Sequence, residues 1–145
     1  MFKHILLPTD GSDLSAGTIK EGIRLAKSIG AKVTGLCVIP FPHRSFSETE
    51  ILTEAHEQAS KRCKAVGERY LAGIEKEAKE TGVACEAVYE RSDYPYEAII
   101  RVAEQKGCDL IMMASHGRRG VRALLIGSET QKVLTHSKIP VLVYR

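Results

Sequence analysis

The sequence predicts an α/β domain, a doubly wound parallel sheet of five strands with helices on both faces. Three observations carry that expectation. Short apolar runs alternate with segments of helical period from one end of the chain to the other, and nothing reads as a hairpin or meander. The first and fourth of those runs, Ile5-Leu6-Leu7 and Leu110-Ile111-Met112-Met113, are unbroken, as in strands covered on both sides. The length, 145 residues, fits one domain that can bury a sizeable core.

Taken in order, Lys3 to Thr9 is the first strand, closed by Pro8-Thr9-Asp10-Gly11-Ser12. Ser12 or Asp13 then caps a helix whose apolar positions Ile19, Ile23, Ala26 and Ile29 follow helical spacing, with Gly30 as its stop. Lys32 to Ile39 is the second strand, ended by Pro40-Phe41-Pro42. Ser47-Glu48-Thr49-Glu50 matches a capping box and opens the longest helix, whose stripe runs through Ile51, Ala55, Ala59, Cys63, Val66, Tyr70, Ile74 and Ala78 to Thr81-Gly82. Val83 to Tyr89 is a third strand of nearly alternating character, placed toward an edge. Pro95 suits the first turn of a helix carrying Ala98, Ile99, Val102 and Ala103, which stops at Lys106-Gly107. Asp109 to Ser115 is the fourth strand. Ser128-Glu129-Thr130-Gln131 reads as a second capping box, its helix ends before Pro140, and Val141 to Tyr144 is the fifth strand.

Composition excludes several classes. With 43% hydrophobic and 27% charged residues the chain is that of an ordinary globular protein, and acids and bases are interspersed around a net charge of +3, which gives no face for nucleic acid. Arg118, Arg119 and Arg122 form the one basic cluster, in a loop. No apolar run nears a membrane span and the first residues lack the layout of a signal peptide, so the expected location is the cytoplasm. The four cysteines, Cys37, Cys63, Cys85 and Cys108, are scattered without metal-ligand spacing and read as plain buried or half-buried thiols.

In open parallel sheets, ligands bind beyond the carboxyl ends of the strands, where strand order reverses. Three ends compete for that role: Pro8-Thr9-Asp10, Val38-Ile39-Pro40 and Ala114 to Gly117. They converge if the first and fourth strands are neighbours. Chemically they suit a nucleotide. Gly117 admits a ligand to the backbone, Gly127 and Ser128 offer free amides at a helix N-terminus, Arg118 and Arg119 carry charge for phosphate, Asp10 can accept from ribose hydroxyls and Val38 can wall a base. Each also has a structural reading: Ser128 and Asp10 as helix caps, Gly117 and Gly120 as turn residues, the arginines as a solvated loop.

The spacing favours the nucleotide. Gly117, nine residues, Gly127 and Ser128 resemble the nucleotide-binding motif of the universal stress protein family, in which glycine, two residues, glycine, nine residues, glycine and a serine or threonine follow in that order. The likeness spans the chain, from Ile5-Leu6-Leu7-Pro8-Thr9-Asp10-Gly11-Ser12 through the Val38 strand end and Ser115-His116-Gly117 to Ile139-Pro140-Val141-Leu142-Val143. The resemblance implies a Rossmann-like, adenine nucleotide alpha hydrolase-like fold of strand order 3-2-1-4-5 and a role in stress response. It implies that Pro8, Thr9, Asp10 and Val38 line the adenosine end of bound ATP (or AMP or ADP). Met113, Ala114, His116 and Gly117 would pass beneath ribose and phosphates, and Gly127, Ser128 and Thr130, with Glu129 beside them, would hold the phosphate tail. Mg²⁺ or Mn²⁺ would arrive on the phosphates, and a homodimer would form through Val141, Leu142 and Val143.

One motif position departs from the family: the first glycine is Ala114. If that position needs a positive φ, alanine costs about 1 to 2 kcal/mol there. Glu129 would repel an anion if its carboxylate turned inward. Rapid ATP hydrolysis is not expected, because the chain has no Gly-x-x-x-x-Gly-Lys and His116 alone in the loop could activate water. A phosphorylation-receiver domain would need an acidic pair at the first strand, where only Asp10 stands. The alternative function is a dimeric stress-related interaction module without significant nucleotide binding.

Overall fold

A computed structural model describes residues 1–41, 50–117 and 126–145, with the side chains of 50–53 outside that description. Strands and helices alternate as β1 (His4–Thr9), α1 (Asp13–Ile29), β2 (Lys32–Ile39), α2 (Glu50–Thr81), β3 (Cys85–Arg91), α3 (Pro95–Lys106), β4 (Leu110–Ala114), α4 (Ser128–His136) and β5 (Val141–Tyr144). All neighbouring strands are parallel and the order is β3-β2-β1-β4-β5, as expected, with β3 at one edge and β5 at the other.

Alternation of side chains along the inner strands explains the two covered faces. Ile5, Leu7, Val33, Cys37, Leu110 and Met112 point to α1 and α2, where they meet Ile19, Ile23 and Ala26 of α1 and Leu71, Ile74 and Ala78 of α2. Leu6, Leu36, Ile111 and Met113 point the other way, to Ile99, Val102 and Ala103 of α3 and Val133 of α4. Ile5, Leu6, Leu7, Ile23, Leu36 and Ile111 are fully buried, so β1 lies at the centre of both layers.

Local chemistry sets the helix ends. Ser12 caps α1, its hydroxyl accepting the Ser15 amide at 3.2 Å, and α1 and α3 stop at Gly30 and Gly107 in left-handed conformation. The capping box at 47–50 lies outside the described residues apart from Glu50, the first residue of α2. At the second capping box the structure corrects the expectation: Gly127 is the N-cap of α4 and Ser128 is its first helical residue, so no side chain caps this helix. β3 also starts two residues later than Val83, because Val83 still belongs to the turn closing α2, its amide donating to the Ala78 carbonyl at 2.8 Å.

At the amino ends of the strands, Asp109 ties β4 to β1 by accepting from the amides of Lys3 (2.8 Å) and His4 (2.9 Å). Burial opposes the charge on that carboxyl, and the amides outweigh it and hold the group below the usual carboxylate range. His4, also buried, places Nε2 2.7 Å from the Thr34 hydroxyl. Desolvation and the nearby Lys32 cation lower the pKa of His4.

Candidate functional site

β1 pairs with β2 from His4 to Thr9, whereas its pairing with β4 ends at Leu6, opposite Ile111. Sheet order reverses between β1 and β4, the switch point outside whose strand carboxyl ends ligands bind in open parallel sheets. Three segments border it: the turn after β1, the segment after β4 and the start of α4.

The turn after β1 is built by short side chains bonding their own backbone. Thr9 Oγ1 accepts the Gly11 amide at 3.1 Å and the Ser15 hydroxyl at 2.8 Å, and Asp10 Oδ1 accepts the Ser12 amide at 3.0 Å. Gly11 has φ +76°, a left-handed turn that glycine adopts without cost. The other carboxylate oxygen, Asp10 Oδ2, lies over Gly117: a β-carbon built there would stand 2.6 Å from it. Gly117 has no positive φ, and a side chain there would first meet the Asp10 carboxylate, which would have to turn aside.

The segment after β4 is tied to α4 at two points. The Ser115 carbonyl accepts the Gly127 amide at 2.8 Å, and the buried Thr130 hydroxyl donates to the Ala114 carbonyl at 3.0 Å. Gly127 packs so closely that a β-carbon on it would stand 3.3 Å from both the Ser115 carbonyl oxygen and the His116 Cα. Ser115 Oγ lies 2.9 Å from His116 Nδ1, and His116 Nε2 is buried with no hydrogen-bond partner among the described residues. Within α4 the first backbone bond runs from the Gln131 amide to the Gly127 carbonyl at 2.9 Å, so the amides of Ser128, Glu129 and Thr130 have no partner in their own helix.

The expected site residues therefore fall into groups. Asp10, Ala114, His116, Gly117, Gly127, Ser128 and Thr130 are brought together. Val38 is half-buried and stands one residue past the Thr9–Cys37 pairing, level with Asp10 in the next strand, and Pro8 lies beside Leu36 in the same ladder. Met113 points its side chain into the α3/α4 core and leaves only backbone to the switch point. Thr9 and Thr130 use their hydroxyls to shape the site. Arg118 and Arg119 lie outside the described residues. No positive φ occurs at a described residue other than glycine, so Ala114, in strand conformation and 8% exposed, carries no left-handed strain.

Glu129 does not turn inward. Its Oε2 accepts the Tyr96 amide at 3.0 Å in the first turn of α3, and its Oε1 pairs with Lys132 at 2.9 Å. The α3 N-terminus has no side-chain cap of its own, so the helix dipole draws this carboxylate from the neighbouring helix. Sequence reasoning missed Ser115 and Tyr70. The first is a small polar residue at a strand end, a weak signal; the second belongs to the apolar stripe of α2 and gives no sign that its ring reaches Gly11.

Together these features define a doubly wound α/β domain with its candidate site at the β1/β4 switch point. The model of the universal stress protein family matches residues 1–145, and the chain belongs to that family. It is 33% identical over 153 residues to a universal stress protein of Methanocaldococcus jannaschii, an alignment that covers all of this chain and 83% of the relative. A second protein of that organism, solved as a test case of structural genomics, superposes with a TM-score of 0.82 at 29% identity, over 99% of this chain and 95% of the other. Two more distant solved members share the fold. A universal stress protein in complex with cAMP has a TM-score of 0.67 at 21% identity, covering 99% and 97% of the two chains. One from Archaeoglobus fulgidus in complex with dAMP has 0.62 at 17%, covering 100% and 98%.

Proposed function

We propose that this chain binds ATP, or a related adenine nucleotide such as ADP or AMP, in the β1/β4 crevice and acts in stress response as a nucleotide-dependent sensor or regulator. One observation carries the reading. Both motif glycines are points of close approach, Gly117 to the Asp10 carboxylate and Gly127 to the Ser115–His116 backbone, and they lie between a carboxylate and an uncapped helix N-terminus. A carboxylate able to accept from ribose hydroxyls at one end and helix amides able to donate to phosphate at the other match a nucleotide in polarity. The buried, unpartnered His116 Nε2 beside them is a group that a ligand oxygen would satisfy. The cAMP and dAMP complexes of more distant members add support for the ligand class.

In this reading Pro8, Thr9, Asp10 and Val38 border the adenosine. The backbone from Met113 to Gly117 passes beneath ribose and phosphates, and the amides of Ser128, Glu129 and Thr130 receive the phosphate tail, with Arg118 and Arg119 adding charge. Mg²⁺ or Mn²⁺ comes with the nucleotide, held through phosphate oxygens; the described residues include no cluster of three side chains able to hold a metal. Signalling would run through shape and partners, including a second copy joined at β5. Purified protein, denatured and analysed by mass spectrometry, tests the reading: released adenine nucleotide supports it. Protein free of nucleotide that also fails to bind ATP leaves the dimeric interaction module.

A further inference from the structure

At the end of the sheet opposite the candidate site, His4, Thr34 and Cys108 come together beneath the carboxyl end of α3, and all of them are buried. His4 and Thr34 stand two residues before Leu6 and Leu36, so alternation puts their side chains on the α3/α4 face, where Cys108 also packs. His4 Nε2 lies 2.7 Å from the Thr34 hydroxyl, which faces the Cys108 thiol as well. The backbone carbonyl of Lys106, the last residue of α3, faces the imidazole and favours a proton on it. With Nε2 engaged by Thr34, that proton belongs on Nδ1, and Nε2 accepts from the Thr34 hydroxyl. Neutral His4 thus meets β2 on one side and the end of α3 on the other. Charges surround the ring from every neighbouring element. Lys32 of β2 opposes a positive imidazole, whereas Glu86 of β3 and Asp109, just ahead of β4, favour one. Lys106 pairs with Glu86, and Asp109 accepts from the Lys3 and His4 amides.

We propose that His4 is an acid-released latch: neutral, it fastens the carboxyl end of α3 to β1 and β2, and protonated, it lets that end open and uncovers Cys108 while the opposite face of the sheet stays closed. A second proton on the ring must go to Nε2. The Thr34 hydroxyl then faces a donor and has to turn its own proton away, and an imidazolium is left buried beside Lys32. Opening brings the cation to water, so acid favours the open form. Burial, the largest influence on His4, disfavours its charged form and so has the sign that the latch requires.

The cysteines supply the readout. Cys63 is exposed, Cys37 is buried on the α1/α2 face and Cys108 on the α3/α4 face. The full chain is labelled with a pyridyl disulfide, which reacts with thiols even in weak acid, between about pH 7.5 and about pH 5, the range in which imidazoles titrate. Mass spectrometry resolves the label by residue, and each buried cysteine is expressed as a ratio to Cys63. On acidification the Cys108 ratio should rise about threefold or more, as half a pKa unit of linkage gives, with the Cys37 ratio flat. In His4→Gln, which cannot take up the proton, both ratios should stay flat. A flat Cys108 ratio in the wild type, a Cys37 ratio that rises in step with Cys108, or an equal rise in His4→Gln overturns the latch. If His4→Gln does not fold, nitrogen NMR of the wild type decides. The latch predicts the proton on Nδ1 at neutral pH and Cys108 labelling that follows the titration of His4; a proton on Nε2, or two curves that do not coincide, overturns it.

Discussion

At the scale of single residues, the motif glycines are not equivalent, and their geometry separates them. Gly117→Ala places a methyl 2.6 Å from Asp10 Oδ2, and Gly117 is exposed with ordinary backbone. That variant should keep its melting temperature within about 2 °C and lose about tenfold or more in ATP affinity by calorimetry. Ala114→Gly should behave in the opposite way. The alanine sits in β4 without positive φ, so restoring the family's glycine relieves no strain and weakens a strand by about 0.5 to 1 kcal/mol, with affinity unchanged within about twofold. The sequence shows the substitution but not the φ at that position, which belongs to the strand it continues. His4 has a further consequence with pH. Its folded pKa lies below the ordinary value of about 6.5, so on acidification the unfolded chain takes up the proton first. The neutral form's stabilisation is complete above about pH 6.5 and is lost as pH falls through the folded value. Melting curves across this window should show a steeper decline for the wild type than for His4→Gln; parallel slopes would remove His4 as the cause.

At the scale of elements, every strand and helix was legible from periodicity and punctuation, because apolar runs, Pro95 and the glycine stops act locally. What was not legible is how helices borrow from one another. Ser128 has the residue type and spacing of a cap, yet Gly127 takes that place, because its amide must reach the Ser115 carbonyl and its lack of a side chain lets the two segments meet. Glu129, in turn, serves α3. Removing it in Glu129→Ala leaves the Tyr96 amide without its anion and should cost about 1 kcal/mol, a drop of about 3 °C in melting temperature, partly recovered in Glu129→Gln. No change in either variant would show that the α3 terminus is satisfied by water. The long stripe of α2 is a second case. Ile74 and Ala78 of that stripe are buried, whereas Ala55, Ala59 and Cys63 are exposed, which corrects the expectation of a buried or half-buried thiol at Cys63. Periodicity defines a face, and only the length of the sheet beneath decides how much of it is covered.

At the scale of the whole molecule, strand order is the fact that assembles the site. The sequence supplied the three strand ends and the family likeness supplied their order; the end of β1–β4 pairing at Leu6 appears only in three dimensions. The two sheet edges differ as well. β3 carries charged pairs to α3, Glu90 with Arg101 and Glu86 with Lys106, which discourage another strand from docking. β5 exposes Leu142 and Tyr144 at 41% and 38%, in keeping with the proposed homodimer. Sedimentation should report a dimer for the wild type and a monomer for Leu142→Lys, and a monomeric wild type would remove that part of the account. The central claim is nucleotide binding in the β1/β4 crevice, tested most directly by titration calorimetry of nucleotide-free protein with ATP and Mg²⁺. The account predicts saturable binding of about one nucleotide per chain, in keeping with one crevice per domain; no heat of binding at millimolar ATP would contradict it.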